Sequence, residues 1–256
     1  MTGRGWWWVA PAALAVALAG CGSSHRSSGN GEAAKPAAAV LADAVSTMRR
    51  ARSYRLTGEI SIDAVRTSVN LAYQGSSSFS LSLRQPGLDT QIVRVGGAAY
   101  ANGNAAFYAQ QGVPASAVAL IAGRWVKEPA AENASLGSLT TLLSGATLAR
   151  CLVEDPGPLR TAGTATVAGQ PAVVLLDGGT RPGGTTSRYD IAAAGPPVVL
   201  HAVATASQRA GGPSNFCGQG SALLSQAGDE LSFSAYDRPL GITAPAGALD
   251  IASLER

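Results

Sequence analysis

The sequence predicts an α+β fold in which an antiparallel sheet carries helices on one face. Three observations lead there. Val40, Leu41, Ala44, Val45 and Met48 recur at the i, i+3, i+4 spacing of an amphipathic helix. Directly afterwards the apolar period drops from 3.6 to 2 and stays there for four or five segments before residue 110. After a helical middle, the two-residue period returns and runs almost to the C-terminus. Consecutive half-buried strands leave one apolar face that something must cover, and the helices are what the chain has available.

The elements follow in chain order. Arg4 is the only charge in the first twenty residues, beside Trp6, Trp7 and Trp8, and an Ala/Leu/Val run extends from Val9 to Ala19. That pattern is a secretory signal peptide over residues 1–20. The run is shorter than the roughly 20 residues that span a bilayer. It closes on Leu18-Ala19-Gly20-Cys21, which resembles the lipobox of bacterial lipoproteins. The resemblance implies a diacylglyceryl group on the Cys21 sulfur, cleavage before Cys21, and a lipid-anchored protein on the extracytoplasmic face of the cell membrane. Two or more acyl chains anchor stably because each buried CH2 contributes about 0.8 kcal/mol. Residues 21–35 are small and polar, "CGSSHRSSGNGEAAK", and predict a flexible tether. Residues 36–256 then form one domain.

Pro36 suits the first turn of the helix that follows, and Arg49, Arg50 and Arg52 crowd its C-terminal end, where cations favour the helix dipole. Strands follow, with Tyr54, Leu56, Ile60 and Ile62, then Val69, Leu71 and Tyr73, then Phe79, Leu81 and Leu83 on their apolar sides. "QIVRVGGAAYAN" continues them through a turn at Gly96-Gly97. "PASAVALIAG" predicts a short helix ending at Gly123. Ser135 is placed to cap another helix, whose stripe is Leu136, Leu139, Leu142 and Leu143. Val167 and Val173 to Leu176 predict strands flanking a turn at Ala168-Gly169. Residues 185–205 predict a hairpin turning near Gly195-Pro196, and "DELSFSAYDRP" one more strand.

Two cysteines remain after Cys21. In an exported chain the pair Cys151 and Cys217 reads first as a disulfide, which the chain-entropy account credits with about 4 kcal/mol for a loop of this length. Metal ligation and redox work are the alternatives, but neither cysteine sits in a CxxC motif.

Composition excludes several functions. The formal net charge is +3, and no Lys/Arg cluster interleaves with aromatics, so nucleic acid is not an expected partner. Beyond the tether only His201 could serve a Ser-His-Asp triad, and there is no GxSxG elbow. Glu154-Asp155 precedes Pro156 and reads as a solvated turn; "DGGTRPGG" lacks the Lys-Ser/Thr of a phosphate loop. No catalytic residue, metal site or cofactor is expected.

The order of elements resembles the LppX/LprG type of actinobacterial lipoprotein, which shares an architecture with the LolA and LolB lipoprotein carriers. The likeness rests on "SYRLTGEI", "VRVGGAAYAN", the Trp125 segment, "VAGQPAVVLL", "YDIAAAGPPVVLHAVA" and "ITAPAGALDI", within residues 37–251. It implies a curved antiparallel β half-barrel with helices covering the concave face, and an apolar cavity between them for a lipid or lipidated ligand. An envelope transporter partner is compatible with that role. Candidates to line the cavity are Ile60, Ile62, Leu71, Leu81, Leu83, Val93, Leu139, Leu142, Leu143, Val174 and Leu176. The Cys151–Cys217 pair and its Gly-rich surroundings depart from that pattern, and aromatics are few. The other reading is an envelope interaction or sensor lipoprotein with a filled core and no cargo.

Overall fold

A computed structural model of the chain describes residues 29–62, 64–128, 141, 143–153, 157–179, 185–207 and 224–250. Twelve strands form one open sheet: β1 (Ser53–Ile62), β2 (Val65–Gln74), β3 (Ser78–Gln85), β4 (Leu88–Val95), β5 (Ala98–Gly103), β6 (Val126–Lys127), β7 (Leu159–Val167), β8 (Gln170–Asp177), β9 (Ser187–Ala192), β10 (Val199–Ala204), β11 (Glu230–Ser234) and β12 (Leu249–Asp250). Their spatial order is β12-β6-β5-β4-β3-β2-β1-β11-β10-β9-β8-β7. Two meanders, β1 to β6 and β7 to β11, are therefore joined where β11 returns to β1. Every pairing is antiparallel except β12 on β6. The sheet does not close into a barrel; with helices on one face it forms a curved α+β half-barrel.

Short turns explain the meanders. Gly96 and Gly97 both take positive φ between β4 and β5, and Ala168-Gly169 does the same between β7 and β8. These are the left-handed conformations that match the twist of two-residue hairpins. The exposed edge β7 is interrupted between Thr161 and Thr164, where Gly163 has φ of 99°. Such a bulge discourages edge-to-edge pairing.

Four helices are described: α1 (Ala37–Arg50), α2 (Ala105–Gln110), α3 (Ala115–Ile121) and α4 (Gly145–Val153). Val40, Leu41, Ala44 and Met48 of α1 are buried on the sheet, as their spacing predicts. Ser144 caps α4 by accepting from the Thr147 N–H at 3.2 Å. The crossing of α4 over α1 is close: a Cβ on Gly145 would stand 2.3 Å from the Met48 carbonyl oxygen. The sequence pattern did not announce α2 or α4. The helix expected from Ser135 lies outside the described residues except for its end.

The tether expectation needs correcting at its C-terminal end. Residues 29–35 pack on the β9–β10 turn. Asn30 N donates to Ala193 O at 2.9 Å, and its Nδ2 donates to Ala192 O and Gly195 O, each at 3.0 Å. Glu32 is buried in a short 3-10 helix and accepts from Lys35 Nζ at 2.6 Å. Composition pointed to flexibility, but one asparagine with three partners overrides it.

After β11 the tail crosses the opposite face of the sheet as a strap. Asp237 N donates to Ser53 O, Leu240 N donates to Gln74 Oε1, and Leu249 N donates to Trp125 O. Crossing from β11 to β12 at about 4.8 Å per strand covers roughly 34 Å, within reach of about 50 Å of extended chain.

The seam between the meanders gives a first prediction. A Cβ on Gly58 would lie 2.0 Å from Glu230 O, a backbone atom with nowhere to go. Gly58→Ala should lower stability by about 1–3 kcal/mol or more. Urea unfolding checks it; an unchanged midpoint would show that the seam has slack.

Candidate functional site

The cross-strand registers sort every sheet residue onto one of two faces. On the face under α1, one row runs Phe233, Leu56, Leu71, Leu81, Ile92 and Ala101; the next runs Tyr54, Tyr73, Phe79, Arg94 and Ala99. This inner face shrinks from bulky side chains on β1 to β3 to Ala99, Ala101 and Gly103 on β5. Gly103 leaves room for Phe107 of α2, whose ring would meet an added Cβ at 2.3 Å. Asn104 starts α2 by accepting from the Phe107 N–H at 3.0 Å.

The candidate lining residues separate into groups. Ile60, Leu71 and Leu81 are buried in the main core with Met48, Tyr54 and Phe79. Tyr54 stacks on Tyr73 with ring centroids 5.3 Å apart, and its hydroxyl donates to Leu143 O. Ile62, Leu83 and Leu143 are half-buried and pack against the margin of that core. Leu139 and Leu142 lie outside the described residues. Val93, Val174 and Leu176 face the other way. Val93 pairs with Ser80 and Tyr100, Val174 with Asp190, and Leu176 with Arg188, all on the outer face.

The misplacement has a simple cause. Val93 and Val95 alternate, so the pattern favoured them over Ile92, and a one-residue slip inverts a strand. In "AVVLL" apolar residues occupy both faces, so alternation carries no signal; Val173 and Leu175 are the inward pair. The outer partners of that strand include a second small core of Ala172, Ala192, Val198 and Leu200. Ile92 and Leu159, both half-buried against the main core, are inner-face residues that the sequence reading missed.

Two polar groups mark the same margin. Thr90 Oγ1 is buried without a hydrogen-bond partner among the described residues, and the buried Tyr108 hydroxyl lies against the Gly103 backbone. Burial pushes the Tyr108 phenol above its usual range and keeps it neutral. Thr90 shares a row with Leu83 and Gly103. The margin therefore combines half-buried apolar side chains with Arg94 and the unpartnered Thr90 hydroxyl, beside a core of closely buried side chains.

On the outer face, His201 Nδ1 lies 3.2 Å from Asp190 Oδ2, while Arg188 donates to Asp190 Oδ1 at 2.9 and 2.8 Å. His201 Nε2 faces the Glu230 carboxylate at 3.9 Å. The ring is thus held between acids, and no nucleophile among the described residues bonds to Nε2. Asp229 is a latch: Ser61 Oγ and the backbone N–H groups of Ser225 and Gln226 each donate to it at 2.8 Å. Among the described residues no group of three or more His, Cys, Asp or Glu could hold a metal ion. No helix among them is long and apolar enough to cross a membrane. Cys151 sits half-buried on α4 and is not a free thiol.

Several solved structures are similar to this open antiparallel sheet with helices on one face. LprF from Mycobacterium bovis is 12% identical; the match covers 82% of this chain and 97% of that one, with a TM-score of 0.47. The Mycobacterium tuberculosis lipoprotein LppX is 13% identical, over 80% of this chain and 99% of that one, with a TM-score of 0.46. LppX belongs to the group that the sequence resembles. No protein-family model matches the chain, and none of the curated proteins does.

The division between core and margin can be measured. Leu71→Ala, in the filled core, should cost about 2–5 kcal/mol. Leu83→Ala, at the half-buried margin, should cost less than about 1.5 kcal/mol, because less area is lost and solvent can enter. Equal losses in chemical denaturation would place Leu83 in the core and remove the margin.

Proposed function

We propose that this chain is a non-catalytic cell-envelope lipoprotein that binds and carries a lipid or acylated molecule at the inner-face margin. The observation that carries the reading is the pair of half-buried inner-face residues Leu83 and Ile92, on neighbouring strands at the edge of the packed core, with Ile62 and Leu143 half-buried elsewhere along that edge. Acyl chains suit such a surface, since hydrophobic transfer needs area rather than specific groups. Thr90 Oγ1 supplies an unspent donor for an ester or amide carbonyl. Residues 1–20 serve as the leader, and Cys21 as the lipid anchor on the extracytoplasmic face. A Cys151–Cys217 disulfide ties α4 to the segment before β11; the engaged state of Cys151 supports it.

One observation favours the second reading, an interaction or sensor lipoprotein without cargo. Under α1 the inner face is occupied by Met48, Tyr54, Leu71 and Phe79, each nearly inaccessible to solvent.

Native mass spectrometry of protein gently extracted from its own membranes separates the two. Cargo binding gives a lipid-sized adduct that denaturation removes and that Leu83→Trp, by filling the margin, depletes. A clean apo mass supports the second reading instead. The anchor is tested by fractionation: Cys21→Ala should leave the membrane fraction, and an uncleaved, membrane-bound variant would refute the lipobox. In the same preparations, non-reducing peptide maps should join Cys151 to Cys217; two alkylatable thiols would refute the disulfide.

A further inference from the structure

A groove of about 440 Å3 lies on the outer face, between β1 to β4 and the strap residues 240–243. That volume is within the roughly 300–1,000 Å3 of small-molecule sites. Its floor is a lattice set by register. Arg55, Ala72, Ser80 and Val93 form one row, and Asn70, Ser82 and Gln91 form the next. Arg84 stands one row further on, diagonally across from Arg55, with about 16 Å between their Cα atoms at ordinary strand spacing.

The polar side chains of this groove are uncommitted. Arg55, Asn70, Ser80, Ser82, Gln91 and Thr243 make no side-chain hydrogen bond or ion pair among the described residues. Arg84 meets only Asp89, at 3.8 Å, with both side chains largely in solvent. An exposed pair of that kind contributes about 0–1 kcal/mol and is readily exchanged. Two other outer-face arginines are committed: Arg188 is bound to the buried Asp190, and Arg66 lies against Glu59 and the buried Asp229; Arg160, across from Leu176 near the β7 edge, is exposed and lies outside the groove. No carboxylate lines the groove.

We propose that this groove binds an acidic saccharide. The guanidinium groups match a carboxylate, sulfate or phosphate, where paired N–H donors are strongest. The hydroxyls and carboxamides between them both donate and accept, as sugar hydroxyls do. Ala72, Val93 and Ile242 offer small apolar contacts for the C–H faces of a ring. The strap makes the floor concave, and its anchors on Ser53, Gln74 and Trp125 hold it in place without a ligand. The site goes beyond the proposed lipid role and is independent of it, because it lies on the opposite side of the sheet.

Isothermal titration calorimetry of the folded protein tests the assignment. The probes are a uronate-containing hyaluronan tetrasaccharide, neutral maltotetraose and a triglutamate peptide. The uronate oligosaccharide should bind, and the binding should weaken as salt rises. Arg55→Gln and Arg84→Gln should each weaken it about tenfold or more, as expected for losing a hydrogen bond to a charged group. Both residues are exposed, so the unfolding midpoints of the variants should match the wild type. Equal binding of maltotetraose would overturn the role of the arginines. Equal binding of triglutamate would overturn the saccharide. No binding of any probe would overturn the site, whether or not a lipid adduct is found on the inner face.

Discussion

The backbones of β1 and β11 approach so closely at Gly58 that a methyl group there would lie 2.0 Å from the Glu230 carbonyl oxygen, and this ladder joins the two halves of the sheet. β1 to β6 and β7 to β11 are each built from local turns. Only the β1–β11 pairing, far apart in sequence, makes them one surface broad enough for α1 to cover. The α1 side chains Val40, Leu41 and Met48 meet Leu56 and Leu71 from one half and Val173, Leu175 and Ile191 from the other in a single core. Without the seam, each half would keep an apolar face of its own and lack the helix to bury it.

Joining the halves gives the sheet two faces of different chemistry. The inner one is packed under α1 and leaves half-buried apolar side chains and the Thr90 hydroxyl toward β4 and β5. The outer one is polar: Arg188 and His201 face the buried Asp190 on β9 and β10, and Arg66 faces Glu59 and Asp229, while Arg55 in the groove has no ion pair among the described residues. Val93 shows how the strap creates this division. It lies on the outer face yet is only 7% exposed, and it lines the groove together with Leu240 and Ile242. The tail thus does locally for the outer face what α1 does for the inner.

Much of the fold was legible because alternation is unambiguous where only one face is apolar. Tyr54, Leu56 and Ile60, and then Val69, Leu71 and Tyr73, announced their strands and their buried side. Legibility failed where both faces are apolar. Val174 and Leu176 could not be told from Val173 and Leu175, because that strand is apolar on both faces, and Val93 hid Ile92, because its cover comes from a tail more than 140 residues away. The groove was illegible for the same reason. Arg55, Asn70, Ser82 and Arg84 read as ordinary solvated positions until register and strap bring them together. The ordered segment at 29–35 was missed because its order comes from Asn30 bonding to a distant hairpin, which composition does not encode.

The position of the strap also constrains how the chain reaches this structure as it emerges from N- to C-terminus. β11 supplies the neighbour of β1, and β12 the neighbour of β6, and both are formed by the last residues of the domain. Until those residues arrive, β1 and β6 each present an unpaired edge, and the pairings that close them have large sequence separation, which slows folding. The final segment therefore closes both edges at once, and the pairings it supplies complete the sheet last as the chain emerges.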